Sequence, residues 1–229
     1  MLILGHSGTG KTSLIKNVLM PGIKSIPSES TRESYELLCA PKNRHKTILV
    51  DTPGNPLFFN ELKEQLEAVG AGQFLGIINV VAYGFTDPRH ITPDRDVPPA
   101  YASSDRKVNA DRLSIERQAE LEFLRIWLVS NNWLHDKINW LVTIVNKYDL
   151  WAEYQSEVLS YYQPGSEYGD TICDIIGRAN YEVMPACGDP DHLGQYRSQG
   201  ANVRMVSPEE IRSKNSDLLA KIWSYAPPK

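Results

Sequence analysis

A chain of 229 residues is long enough to bury one α/β core with an insertion and slightly short for two ordinary domains, so a single domain spanning 1–229 is expected. With 41% hydrophobic and 23% charged residues and a net charge of -4, the composition excludes the disordered class and offers no broad basic surface for nucleic acid. Cys39, Cys173 and Cys187 show neither CxxC nor metal-ligand spacing, and no apolar run is long enough to span a membrane, which together read as reduced thiols in a soluble cytoplasmic protein.

Met1-Leu2-Ile3-Leu4 reads as a strand that enters a glycine-rich loop with no lead-in, the abrupt start expected of a piece of a longer polypeptide. Leu14, Ile15, Val18 and Leu19 then follow helical spacing until Pro21-Gly22 stops the helix. Residues 23–32 are rich in Ser, Pro and Thr and read as a loop; 35–39 and 47–50 read as two strands of a hairpin. Residues 57–70 suit an amphipathic helix, and 75–83 form the apolar, β-branched run of a strand buried on both faces.

From 85 to 111 the apolar period disappears among Pro, Asp and Arg, and this stretch reads as an inserted loop. A helix is expected from near Leu113 through Leu128, then a strand over 141–145, a Trp/Tyr-bearing segment over 151–162, a helix over 170–178 and a strand over 181–184. Ser207-Pro208-Glu209-Glu210 opens the last helix as a capping box with Pro at the first helical position. Strands alternating with helices predict an α/β fold, a mostly parallel sheet with helices on both faces. Most of the five tryptophans are expected in the core, with one or two at an interface.

Three segments carry chemistry, each at the end of a predicted strand. In Gly5-His6-Ser7-Gly8-Thr9-Gly10-Lys11-Thr12 the glycines let the backbone curl so that its N–H groups and the helix N-terminus face phosphates. Lys11 would neutralise the β and γ phosphates and the Thr12 hydroxyl would bind Mg²⁺. Asp51-Thr52-Pro53-Gly54 places a carboxylate where it can hold Mg²⁺ through water, with the Gly54 N–H toward the γ-phosphate. Asn146-Lys147-Tyr148-Asp149 reads the base: the Asp149 carboxylate can accept from the N1–H and 2-amino donors of guanine, a pair adenine lacks. Lys147 would lay its stem across the purine, and Asn146 would tie the segment to the phosphate loop.

GHSGTGKT, DTPG and NKYD, in that order, resemble the G1, G3 and G4 motifs of the Ras-like, translation-factor-related P-loop GTPases. The resemblance covers most of the chain except the insertion and implies a switch that is on with GTP and off with GDP, with Mg²⁺ as its ion. It also implies a switch threonine on Mg²⁺, for which Thr31 stands in about the right place, with Ser30 or Ser28 as alternatives. For the fifth motif, Pro185-Ala186-Cys187-Gly188 loosely matches, which would turn the Ala186 N–H, beside Cys187, to guanine O6. Where many relatives carry a water-orienting Gln, this chain has Asn55-Pro56, and Ser7 replaces a Gly that some relatives require. Both departures imply slow intrinsic hydrolysis, with Asn55 the residue left to orient water.

The expectation is therefore a GTPase that turns GTP over slowly and is stimulated by a protein partner or by homodimerisation through the switch loops or the 85–111 insertion. The alternative is a non-hydrolysing GTP-binding interaction module, a receptor subunit or assembly platform. An ATPase or nucleotide kinase would fit the phosphate loop and leave Asn146-Lys147-x-Asp149 unexplained.

Overall fold

The computed structural model describes residues 1–21, 35–39, 47–52, 75–85, 110–190 and 206–225. Its strands are β1 (Leu2–Leu4), β2 (Tyr35–Cys39), β3 (Thr47–Asp51), β4 (Leu75–Val81), β5 (Ile138–Val145) and β6 (Tyr181–Pro185). They form one sheet in the order β2-β3-β1-β4-β5-β6, parallel throughout except for the antiparallel β2–β3 hairpin. The helices are α1 (Lys11–Leu14), which continues as a π-helical turn over Ile15–Leu19, α2 (Ala110–Ser130), α3 (Tyr148–Trp151), α4 (Gln155–Tyr162), α5 (Glu167–Ile176) and α6 (Pro208–Ser224).

Strand alternation feeds two cores. Leu2, Leu4, Ile77, Val81, Leu141 and Val145 point to one face, where Leu121, Leu124 and Trp127 of α2 and residues of α4 and α5 pack on them. Ile3, Ile78, Val80, Val142 and Ile144 point to the other, against Leu14, Ile15 and Val18 after the loop and Leu218 and Ile222 of α6. Covering both faces is what a parallel sheet requires. At Gly76 a Cβ would lie 2.0 Å from the Trp140 ring, so the absent side chain leaves room for that indole, which stacks on Tyr225 at 4.8 Å. Trp127, Trp140 and Trp151 are buried, and Trp133 and Trp223 pack half-buried against the two cores.

Several expected boundaries shift. Residues 151–162, read only as aromatic-rich, contain α4; Trp151, Val158 and Tyr162 fall at helical spacing and are buried, an apolar stripe that the mixed Trp/Tyr/Glu composition conceals. Helix α5 begins at Glu167 rather than 170 because the Ser166 hydroxyl accepts from Gly169 N at 3.0 Å. It stops before Gly177, whose φ of 77° is left-handed. Strand β5 gains Ile138–Trp140, and helix α2 takes in Ala110 and Asp111 from the expected insertion. The rest of that insertion, 86–109, and the expected helix at 57–70 lie outside the described residues. Ser207 caps α6 as its spacing predicts, accepting from Glu210 N at 3.1 Å, while the Glu210 carboxylate accepts from the Tyr148 hydroxyl at 2.6 Å. Among the described residues no helix is long and apolar enough to cross a membrane.

Candidate functional site

The loop between β1 and α1 is shaped by its glycines. Gly5, Gly8 and Gly10 have φ of 150°, 83° and 85°, values that L side chains rarely adopt. A Cβ at Gly5 would lie 2.3 Å from the Val80 carbonyl oxygen, and one at Gly10 would lie 2.5 Å from Asn146 Nδ2. Inside the curl Thr9 Oγ1 donates to His6 O at 3.0 Å, and Leu14 N donates to Gly10 O at 2.9 Å as the helix starts. Lys11 Nζ reaches back to Gly5 O at 2.6 Å. His6 sets its ring edge against Phe123 at 5.8 Å, and burial lowers its pKa, opposed by Glu116, with Lys11 pushing the same way as burial. Thr12 is the second residue of α1, at the mouth of the curl.

Asp51 ends β3, which pairs with β1, so its carboxylate lies beside this loop. Burial raises it to about 6 against the opposing charge of Lys11, and burial in turn lowers the pKa of Lys11. Among the described residues Asp51 Oδ1 has no hydrogen-bond partner. Thr52 Oγ1 donates to Ile3 O at 2.8 Å and fixes the exit of β3. Thr31, Gly54 and Asn55 lie outside the described residues.

A second group converges from β5 and β6. Asn146 Nδ2 donates to Thr9 O at 2.9 Å, and its Oδ1 accepts from Gly188 N at 2.9 Å, so one amide joins the glycine loop to the loop after β6. Lys147, left-handed at φ 58°, donates from Nζ to Gly8 O at 3.1 Å and to Phe85 O at 2.5 Å. Asp149 is buried and accepts from Cys187 Sγ at 3.2 Å; burial, helped by the adjacent carboxylate, keeps that thiol protonated. Trp151 Nε1 donates to Asn146 O at 2.7 Å and secures the segment from below.

One expected role is corrected here. The Ala186 N–H donates to Val145 O at 3.0 Å, so it is committed to the sheet and is not free for a base oxygen. The residues that turn toward the Asn146–Asp149 segment are Cys187 and Gly188. Two asparagines that no motif marks support that turn. Asn17 Nδ2 donates to Gly188 O at 2.6 Å, and Asn215 accepts from Cys187 N at 3.1 Å while donating to its carbonyl at 2.9 Å. A Cβ at Gly188 would meet Leu14 N at 2.7 Å, so the turn packs directly on α1.

Gly5–Thr12, Asp51, Asn146–Asp149 and Ala186–Cys187 thus meet at the carboxyl ends of the parallel strands, where open α/β sheets place ligands. A divalent cation fits this arrangement: the buried Asp51 Oδ1 has no hydrogen-bond partner among the described residues, and Lys11, whose charge acts on that carboxylate, lies in the adjoining glycine loop. Among the described residues no group of three or more His, Cys, Asp or Glu could hold a metal.

Glu120 of α2 is a buried carboxyl just beneath the site, raised to about 7 by burial against the hydrogen bonds from Tyr162, Ala82 and Gly84. A folded-state pKa above the unfolded value means that the folded protein holds its proton more tightly. Its stabilising share is therefore complete below about 4.5 and is lost as pH rises through about 7. The urea midpoint of the nucleotide-free protein, relative to that of Glu120→Gln, is expected to fall across this window, by an amount equivalent to about 3 kcal/mol at most. A flat difference between the two would show that Glu120 titrates normally.

No protein-family model matches the sequence, and no curated protein matches it. Among solved structures, a chain of "The Structure of the Mammalian SRP Receptor" is similar in fold at 13% identity and a TM-score of 0.46, over 86% of this chain and 97% of that one. A likeness at that level leaves the reading of the site to the residues themselves.

Proposed function

We propose that this chain is a Ras-like guanine-nucleotide switch that binds GTP with Mg²⁺ and hydrolyses it slowly to GDP and phosphate. The observation that carries the reading is the Asn146 amide, which bonds the glycine loop holding Lys11 to the segment holding buried Asp149. In this reading that bond couples the phosphate grip to the base reader.

In this reading the loop amides and Lys11 take the phosphates, and Lys11 exchanges the Gly5 carbonyl for β and γ oxygens. Thr12 and Asp51 would hold Mg²⁺, Asp51 through a water, with Thr31 joining when the γ-phosphate is present. Mg²⁺ held by these residues would supply neutralisation of phosphate charge. Gly54 N–H would meet the γ-phosphate, and Asn55 is what remains to orient water for in-line attack. Asp149 accepts from the guanine edge and Lys147 covers the purine face.

Asn55-Pro56 and Ser7 favour a second reading on the same site, a GTP-binding interaction module that scarcely hydrolyses, with the 85–111 insertion or the switch loops meeting a protein partner or second copy. Denaturing the purified protein and separating the released nucleotide by chromatography is expected to yield GDP for the switch and GTP for the static module. Release of an adenine nucleotide, with no guanine affinity on titration, would overturn both.

A further inference from the structure

Strand β4 ends in a turn that carries strain. Tyr83 at φ 52° and Gly84 at φ 82° are both left-handed, and Phe85 N closes the turn on Ala82 O at 2.9 Å. The turn cannot shift inward, because a Cβ at Gly84 would lie 2.7 Å from Leu113 O of α2. Its next carbonyl, Phe85 O, is the acceptor for Lys147 Nζ.

Three successive amides of this turn are held by one buried group and its neighbour. Ala82 N and Gly84 N donate to Glu120 Oε1 at 2.8 and 3.5 Å. Tyr83 N donates to the Tyr162 hydroxyl at 3.0 Å, and that hydroxyl donates to Glu120 Oε2 at 2.6 Å. Position 120 lies on the packed face of α2, one turn from Leu124 and two from Trp127, both buried. A leucine would serve packing there, whereas a carboxyl in an apolar core is costly without a polar task. The groups facing it are Glu116 on its own helix and Tyr161, Tyr162 and Tyr168 from α4 and α5, none of them a cationic partner. What it does have is backbone N–H groups, and Oε1 accepts from them whether or not the carboxyl is ionised.

We infer that Glu120 is a positioning residue for the base end of the nucleotide site: it fixes the Ala82–Phe85 turn, and that turn fixes Lys147. The inference rests on the guanine-nucleotide reading above. Glu120 touches no ligand atom in this scheme. Its effect passes through Phe85 O to the lysine that lies over the purine and, through Gly8 O, to the phosphate loop.

The test is a double-mutant cycle in affinity for a fluorescent GDP analogue. Glu120→Leu, which keeps the packing and removes the acceptors, is expected to weaken binding about tenfold, the usual scale for amides left unpaired. Glu120→Gln, which retains a carbonyl oxygen, should return most of that loss. Lys147→Met keeps the apolar stem and removes the ammonium, and in its background Glu120→Leu should cost nothing further. Wild-type affinity in a folded Glu120→Leu protein, or losses that simply multiply in the double variant, would overturn the inference. If Glu120→Leu does not fold, Tyr162→Phe removes the hydroxyl held between Tyr83 N and the carboxyl and enters the same cycle with the same expectations. Failure of the wild-type protein to bind the analogue would instead remove the underlying reading.

Discussion

Lys11→Ala is expected to abolish measurable binding of GDP and GTP, by about 3–5 kcal/mol, on the order of a thousandfold in Kd. Two effects add. The ammonium lies inside the curl, 2.6 Å from Gly5 O, where phosphate oxygens would replace that carbonyl as stronger, charged acceptors. Lys11 is also the cation that offsets Asp51, whose pKa burial already raises to about 6. Without Lys11 the carboxylate is desolvated and unopposed, takes up a proton more readily and becomes a poorer partner for Mg²⁺. Titration calorimetry with GDP, with and without Mg²⁺, checks both parts, and wild-type affinity in a folded variant would remove the loop from the proposed site.

The placement of that loop and of the Asn146–Asp149 segment was legible in the sequence because each directly follows an apolar strand, β1 and β5; the chemistry proposed for them rests on residue types at short, fixed spacing. The β2–β3 hairpin was legible from two short apolar runs, Tyr35–Cys39 and Thr47–Val50, separated by the turn-forming Pro41-Lys42-Asn43-Arg44. Helix α4 was not, since it is only eight residues long and fully buries just Val158 and Tyr162, too few inward positions to register a helical period. Asn17, Asn215 and Glu120 left no signal, because each acts on backbone groups far away in sequence; the Asn17–Gly188 bond spans 171 positions. Nothing in a single sequence separates such an asparagine from a solvated one. The assignment of the Ala186 N–H failed for a related reason: the pattern located the loop after β6 but not the residue at which the ladder with β5 lets go.

Asp149→Asn is expected to invert base preference from guanine to xanthine, a swing on the order of a thousandfold or more in the ratio of affinities. Asp149 is buried, and one carboxylate oxygen already accepts from the Cys187 thiol. As an acceptor-only group it suits guanine, which presents the N1–H and the 2-amino group side by side. An asparagine keeps one acceptor for N1–H but turns its Nδ2 donors toward the 2-amino group, and two donors then meet with no water to separate them. Xanthine carries a carbonyl at that carbon, so the same Nδ2 finds an acceptor. The surroundings should hold the new side chain in the orientation of the old one, because an amide oxygen accepts from Cys187 as a carboxylate oxygen does, and Tyr148 N remains tied to Ala186 O at 3.0 Å. Competition between GDP and xanthosine diphosphate on the two proteins reads the swing directly. A variant that loses both bases equally would make Asp149 a structural acid, and one that keeps guanine would place the base elsewhere.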